Sequence, residues 1–221
     1  MNQKFIHKHI RSMKKYTETM KKVIVWSVIG LLFMSIAVYK VQYDRQMILQ
    51  KQLADKILRF HVLANSNSAE DQMLKLQVRD AIGGYIQENL PADVDKWESK
   101  RIITAHLESI ESIAEEIITK EGYAYHVTAS VKECDFPVKT YGAYTFPAGT
   151  YEAVQVVIGE GEGENWWCVL YPNMCFENSI YEVVDENAKN ALREVLDKEE
   201  YEAVLNAGKY EIRFRFLEWF R

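Results

Sequence analysis

Residues 58–68 read Leu58-Arg59-Phe60-His61-Val62-Leu63-Ala64-Asn65-Ser66-Asn67-Ser68, and they mark a change of period. Just upstream, Val41, Ile48, Leu49, Leu53 and Ile57 recur at helical spacing among polar residues, as in a helical stalk over residues 40–57. From Leu58 the pattern alternates: Leu58, Phe60, Val62 and Ala64 against Arg59, His61 and Leu63. Strict alternation puts the two sets on opposite faces of a strand, so the stretch predicts a half-buried strand ending in the turn residues Asn65 to Ser68. Ser68 with Asp71 three residues on has the form of a helix start. Leu74, Val78, Ala81, Ile82 and Tyr85 then lie on one helical face, Gly83-Gly84 weakens the last turn, and Pro91 closes the segment.

Working outward toward the C-terminus, Asp95 with Glu98 caps a second helix whose stripe is Ile103, Leu107, Ile110, Ala114 and Ile117, with Gly122 in the place of a C-terminal cap. The stripe lasts about two heptads, too short for a coiled coil, so it packs on the protein's own sheet. Period two returns at Tyr123, Tyr125, Val127, Ala129 and Val131. Pro147-Ala148-Gly149 is a turn, Tyr151 to Ile158 a strand, Gly159 to Glu164 a connection, and Trp166 to Tyr171 the returning strand of a hairpin. Residues 185–198 carry Ala188, Leu192, Val195 and Leu196 at helical spacing, capped by Asp185 or Asn187. Tyr210, Ile212, Phe214 and Phe216 alternate with Glu211, Arg213, Arg215 and Leu217 in a closing strand. Blocks of strands and helices with hairpin-like neighbours predict an α+β fold: a mainly antiparallel sheet with two or three helices packed on one face.

Toward the N-terminus the charge is uneven. Residues 1–22 hold seven Lys or Arg against Glu18, a local +6, which leaves −11 on the rest of a chain whose net charge is −5. Residues 23–39 then run from Val23 to Tyr39 without a charge. A bilayer core of about 30 Å wants roughly 20 apolar residues, and a secretory signal has a shorter apolar region before a small-residue site; Ser35-Ile36-Ala37 is tolerable as such a site. Signal-anchor and cleaved signal peptide thus both stand. Either way the basic tail (1–22) stays cytoplasmic, residues 23–39 insert in the membrane, and residues 58–221 form an exported domain. A basic tail on an acidic body also argues against nucleic-acid binding, which needs Lys and Arg on the folded surface.

Site chemistry is sparse. Gly159-Glu160-Gly161-Glu162-Gly163-Glu164 resembles a phosphate loop only in its glycines, since its carboxylates would repel an anion and no helix follows; it reads as a flexible acidic hairpin loop. The histidines are scattered, Cys168 and Cys175 lack a partner pair at zinc spacing, and Asp93-x-Asp95 lacks the glycine and terminal glutamate of a calcium loop, so no metal or cofactor is expected. Nor is a small-molecule substrate. Cys134, Cys168 and Cys175 would meet an oxidising compartment; Cys168 and Cys175 flank Tyr171-Pro172, which suits a disulfide, while all three could equally be small buried hydrophobes. A cell-wall thiol hydrolase using Cys168 or Cys175 with His61 or His126 is the enzyme alternative, but Cys168 sits inside an apolar strand rather than at a helix start, where thiol pKa values fall. Tyr141, Tyr144, Phe146, Trp166 and Trp167 lie in or beside turns, either as exposed anchors of an interface or as the cover of the sheet's helix-free face.

Phe60-His61-Val62-Leu63-Ala64-Asn65-Ser66, Glu70-Asp71-Gln72, Lys75-Leu76 and Val78-Arg79-Asp80-Ala81 resemble the opening block of the stage II sporulation protein R family. A second block does so too: Lys139-Thr140-Tyr141-Gly142, Pro147 to Ala153, Ile158-Gly159, and Asn165-Trp166-Trp167-Cys168-Val169 through Pro172 to Cys175-Phe176. The chain departs from the family pattern at Asn173-Met174, where Pro-Leu is expected, and at Asn67, where Asp is common. The resemblance covers residues 58–178. It implies a non-enzymatic signalling protein of endospore-forming bacteria, exported across the forespore membrane into the intermembrane space. There it would activate a membrane-embedded aspartic protease of the mother cell, which removes the pro-sequence of the early mother-cell sigma factor. The contact surface expected under this resemblance comprises Asn65, Arg79 and Asp80 with Tyr141, Trp166 and Trp167. Arg79 and Asp80 could otherwise be a surface ion pair, and Asn65 a turn residue.

Overall fold

The computed structural model describes residues 3–91, 93–174 and 186–207. It contains two compact units, one ending at Ile48 and one beginning at Leu49. The first is a single helical element, part of α1 (Gln3–Lys56), which meets no proline and only Gly30 along its apolar stretch. Trp26, Phe33 and Tyr39 there are about 70% exposed. This helix is long and apolar enough to cross a membrane, and none of its apolar window is covered by protein.

The last two turns of α1 belong to the second unit. Leu53 is fully buried there with Ile57, and the final carbonyls of Ala54 and Asp55 accept from Lys96 Nζ (2.7 and 3.3 Å), placing a cation at the negative end of the helix. Gln50 Nε2 donates to Thr150 O (2.7 Å).

Strand β1 (Leu58–Leu63) leads into α2 (Ala69–Asn89), α3 (Lys96–Ala105), α4 (Leu107–Lys120), β2 (Val127–Phe136), the short hairpin β3 (Lys139–Tyr141) and β4 (Tyr144–Phe146), then β5 (Gly149–Ile158), β6 (Asn165–Tyr171), α5 (Glu186–Val195) and α6 (Lys198–Ala207). The main sheet has the order β2-β5-β1-β6. β2 and β6 run antiparallel to their neighbours, while β1 and β5 are parallel, with Phe60 beside Val154 and Val62 beside Val156. The fold is therefore α+β with a mixed, mainly antiparallel sheet. Phe60, Val62, Val154 and Val156 form one core face with Leu74, Val78 and Ile82 of α2 and Ile110, Ala114 and Ile118 of α4. β2 is an edge strand, and α4 covers two of its edge amides: Val127 N donates to Glu115 Oε1 (3.2 Å) and Ala129 N to Glu111 Oε1 (2.7 Å).

Several expectations are corrected. β6 does not form a hairpin with β5, because β1 lies between them and β6 pairs with β1, His61 opposite Trp167 and Val62 opposite Trp166. β1 is covered on both faces rather than half-buried: Arg59 is 0% and His61 3% exposed. The helix capped by Asp95 is two helices, broken at His106, whose φ of −107° and ψ of 9° leave the helical region; its Nδ1 meets Tyr85 Oη at 2.5 Å. β2 begins at Val127, not Tyr123, and Tyr123 and Tyr125 stack on each other before it. The helix over 185–198 ends at Val195. A further one, α6, starts behind a reciprocal cap in which Asp197 Oδ1 accepts from Glu200 N and Glu200 Oε2 from Asp197 N, both at 2.9 Å. Asp185 and the strand expected over 210–217 lie outside the described residues.

Candidate functional site

The turn after β1 is a polar lock. Asp71 is 4% exposed, and its Oδ2 accepts from Asn65 Nδ2 (2.9 Å) and Ser66 Oγ (2.6 Å). Its own amide donates to the capping Ser68 Oγ (3.1 Å). Burial would raise the Asp71 carboxyl, but hydrogen bonds from Ser66, Asn65 and Tyr125 outweigh it and hold the group below its ordinary value. Gln72 Nε2 donates to Ser66 O (2.9 Å), and Lys75 Nζ donates to Gln72 Oε1 (2.6 Å) and Glu164 O (2.8 Å).

The acidic loop crosses the end of β1 and is strapped to this lock, which corrects the expectation of a flexible hairpin loop. Asn65 Oδ1 accepts from Glu160 N (3.0 Å), Asn65 O from Glu162 N (3.2 Å), Ala64 O from Gly163 N (2.9 Å) and Asn67 Oδ1 from Glu164 N (2.7 Å). The glycines serve this approach: a Cβ at Gly163 would fall on the Ser66 carbonyl, and Gly161 has a φ of +66°. The three glutamates point to solvent, so the loop offers carboxylates and no anion cradle.

The expected contact residues fall into two groups. Successive residues of a strand face opposite ways, so Trp166 and Trp167 part company on β6. Trp166, 8% exposed, packs edge-on against Phe60 (5.7 Å) under the Arg79 guanidinium (5.1 Å), and Arg79 pairs with the exposed Asp80 carboxylate (2.6 Å). Trp166, Arg79, Asp80 and the Asn65 turn thus lie toward α2. Trp167 stacks on His61 (4.9 Å, 5°) on the other face, where Phe136 meets it at 4.7 Å.

That second face is built round a buried cation. The Arg59 guanidinium lies 4.3 Å from the Phe136 ring, 5.2 Å from Tyr151, 5.5 Å from Phe146 and 5.9 Å from Tyr141. Its Nε donates to Cys168 O (2.9 Å) and one Nη to the Tyr141 hydroxyl (3.1 Å), and the other Nη has no hydrogen-bond partner among the described residues. Burial lowers the Arg59 pKa and carries Tyr151 up to about 12. His61 Nδ1 meets Asn165 Oδ1 (3.1 Å), and burial pushes its pKa down to about 4, so it is a neutral ring at physiological pH. Tyr141, Tyr144 and Phe146 are 8%, 3% and 0% exposed; instead of standing out as anchors, these aromatics are buried in the second face of the sheet, where Tyr144 meets Tyr201 of α6 hydroxyl to hydroxyl (2.6 Å). Sequence reading missed Arg59 and Phe136. The available signal was an arginine on an otherwise apolar strand beside an aromatic-rich downstream segment.

Cys168 is disulfide-bonded, which removes it as a nucleophile, and Cys134 is a free thiol whose pKa burial raises. Cys175 lies outside the described residues. His126 Nδ1 meets Glu115 Oε1 (2.7 Å), and among the described residues no cluster of three His, Cys, Asp or Glu could hold a metal ion.

A family model described as stage II sporulation protein R matches residues 54–181, the stretch that contains the lock, the cage of aromatic rings round Arg59 and the acidic loop. Stage II sporulation protein R of Bacillus subtilis (strain 168) is 37% identical over 147 residues, 66% of this chain. The match spans 62% of that protein's length. No solved structure matches the chain. With the family model spanning more than half of its residues, the chain belongs to the stage II sporulation protein R family.

Proposed function

We propose that this chain is an exported intercompartmental signal of sporulation that activates a membrane-embedded aspartic protease and so triggers maturation of a mother-cell sigma factor precursor. The observation that carries the reading is the placement of the family-matched unit directly behind one apolar helix with a basic N-terminal flank. A basic flank holds its side in the cytoplasm, so the unit that follows is delivered across the membrane. In the forespore membrane that orientation faces the space shared with the mother cell. Residues 23–39 are the membrane contact, whether or not they are cleaved afterward. The signal acts by binding: Arg59 and Asp71 of the family-matched unit spend hydrogen bonds on the fold itself, and Cys168 is tied in a disulfide.

The test is co-expression of the full chain with the protease and its precursor substrate in a host that does not sporulate, following removal of the pro-sequence by gel mobility. The expected result is processing that requires this chain with residues 23–39 present. No processing with a stably expressed wild-type chain overturns the reading.

A further inference from the structure

A cleft of about 560 Å³ opens at the far end of β6 from the acidic loop. Its walls are the end of α2 with Ile86 and Leu90, the start of α3, the turn at Tyr171-Pro172, and α5. Ala188 and Ala191 present small side chains on the α5 wall and leave the volume open. That size lies within the usual range for a ligand pocket, about 300–1,000 Å³.

Three features select an occupant. Asp93, Asp95 and Glu194 line the cleft, and among the described residues no Lys or Arg does. Asp95 spends an oxygen on Glu98 N (2.8 Å), while Asp93 and Glu194 are exposed and enter no ion pair among the described residues. Ser99 is 0% exposed, and its hydroxyl, on the cleft wall, has no hydrogen-bond partner among the described residues. Tyr171 keeps its proton, since burial and then the charges of Asp95 and Glu194 raise its pKa. The cleft therefore offers an apolar floor, one waiting hydroxyl, a phenol donor and unneutralised negative charge.

We propose that this cleft docks a partner protein's peptide segment that pairs an apolar side chain with a Lys or Arg, the apolar group entering between Leu90 and Ala191 and the cation meeting Asp93 and Glu194. The inference rests on the signalling reading only for which protein supplies the segment. Residues 175–185 are an unsuitable occupant by charge, having Glu177, Glu182 and Asp185 and no base. Residues 208–221 are basic, but they alternate at strand period, which suits a sheet edge. The cleft is walled by three helices and a turn.

The test uses the full chain in detergent micelles and two fluorescein-labelled amphipathic peptides of twelve residues, one of Leu and Arg, the other with Glu in every Arg position. Anisotropy is expected to show binding of the Arg peptide alone. The pair Asp93→Lys with Glu194→Lys, both at exposed positions, should weaken it at least tenfold, and Ala191→Trp should abolish it by filling the cleft. Glu160→Lys with Glu162→Lys reverses as many charges at the opposite end of β6 and should change nothing. Equal binding of both peptides, or equal weakening by the loop pair, overturns the proposal as general charge attraction. A tenfold gain on Arg213→Glu with Arg215→Glu also overturns it, by making the chain's own basic stretch the occupant. In the processing assay, a wild-type chain that binds the Arg peptide but yields no processing sinks the signalling reading alone. Normal processing by the folded Asp93→Lys, Glu194→Lys chain sinks the cleft.

Discussion

Replacing Asp71 tests whether the turn after β1 is the keystone of the domain. The carboxylate accepts hydrogen bonds from Asn65 Nδ2 (2.9 Å) and Ser66 Oγ (2.6 Å), both on Oδ2. A hydrogen bond to a charged group contributes about 1.5–3 kcal/mol net. The two share one acceptor oxygen and are not additive, so Asp71→Ala should cost about 4 kcal/mol once the loss of the buried charge's packing is included, near the upper end for a point substitution. For a body of this size that lowers Tm by roughly 8–16 °C. Asp71→Asn keeps an oxygen for Asn65 and Ser66 but loses the charge, and should cost about 1–2 kcal/mol. The pH dependence has a fixed sign. The folded carboxyl titrates below its unfolded value, so its contribution is complete above about pH 3.9 and is lost as the pH falls toward the lower folded value. Urea unfolding of the full chain in micelles, followed by tryptophan fluorescence between pH 3 and 7, reads both effects. An Asp71→Ala chain within about 0.5 kcal/mol of wild type, or an Asp71→Asn deficit unchanged at the acid end, refutes the argument.

Gly163→Ala forces a Cβ onto the Ser66 carbonyl and should cost about 2–3 kcal/mol in the same unfolding assay, while Glu162→Ala, one residue away and exposed, stays within about 0.5 kcal/mol; equal costs would dismiss the close-approach account. Arg59→Lys keeps the charge but cannot reach Cys168 O and the Tyr141 hydroxyl with one fork, so it should lower stability by about 2–3 kcal/mol, and Arg59→Met should be no worse because it removes a buried charge. A neutral Arg59→Lys in thermal melts counts against the cage. Lys56 Nζ lies 2.5 Å from Glu200 Oε2, whose side chain is 3% exposed against 34% for the lysine; Lys56→Met should cost about 1–2 kcal/mol, discounted for that exposure. Cys168→Ser should cost about 2–4 kcal/mol and reduce processing only in proportion to folded protein. Processing lost at unchanged stability would restore thiol chemistry.

What was legible in the sequence was local. The period change at Leu58 locates β1, and Ser68 and Asp95 cap α2 and α3 through the amides of Asp71 and Glu98. The uncharged run after a basic tail marks the membrane-length helix. What was not legible was pairing at a distance. Alternation shows that Trp166 and Trp167 face opposite ways, but not that β1 would slide between β5 and β6. Arg59 and His61 read as a wet face because polar residues usually are wet; Phe136, Tyr141, Phe146 and Trp167, from strands far along the chain, make it dry. α6 was within reach, since Asp197 and Glu200 have the spacing of a reciprocal cap, but an apolar stripe running to Leu196 hides the break.

The placement of the family-like residues changes what they can be asked to do. Asn65, Ser66, Asp71, Gln72 and Lys75 spend their polar atoms on one another and on the acidic loop. Tyr141 bonds the buried Arg59, Trp166 lies under Arg79, and Trp167 stacks on His61. Of the six expected contact residues, Asp80 alone is exposed. Most of the resemblance therefore reads as the means of building this body, so a signalling defect from Arg79→Ala or Trp167→Ala is interpretable only beside its stability. The cleft at the other end of β6 has the opposite character, with Asp93 and Glu194 exposed on its rim and in no ion pair among the described residues. Substitutions there can alter recognition without dismantling the fold.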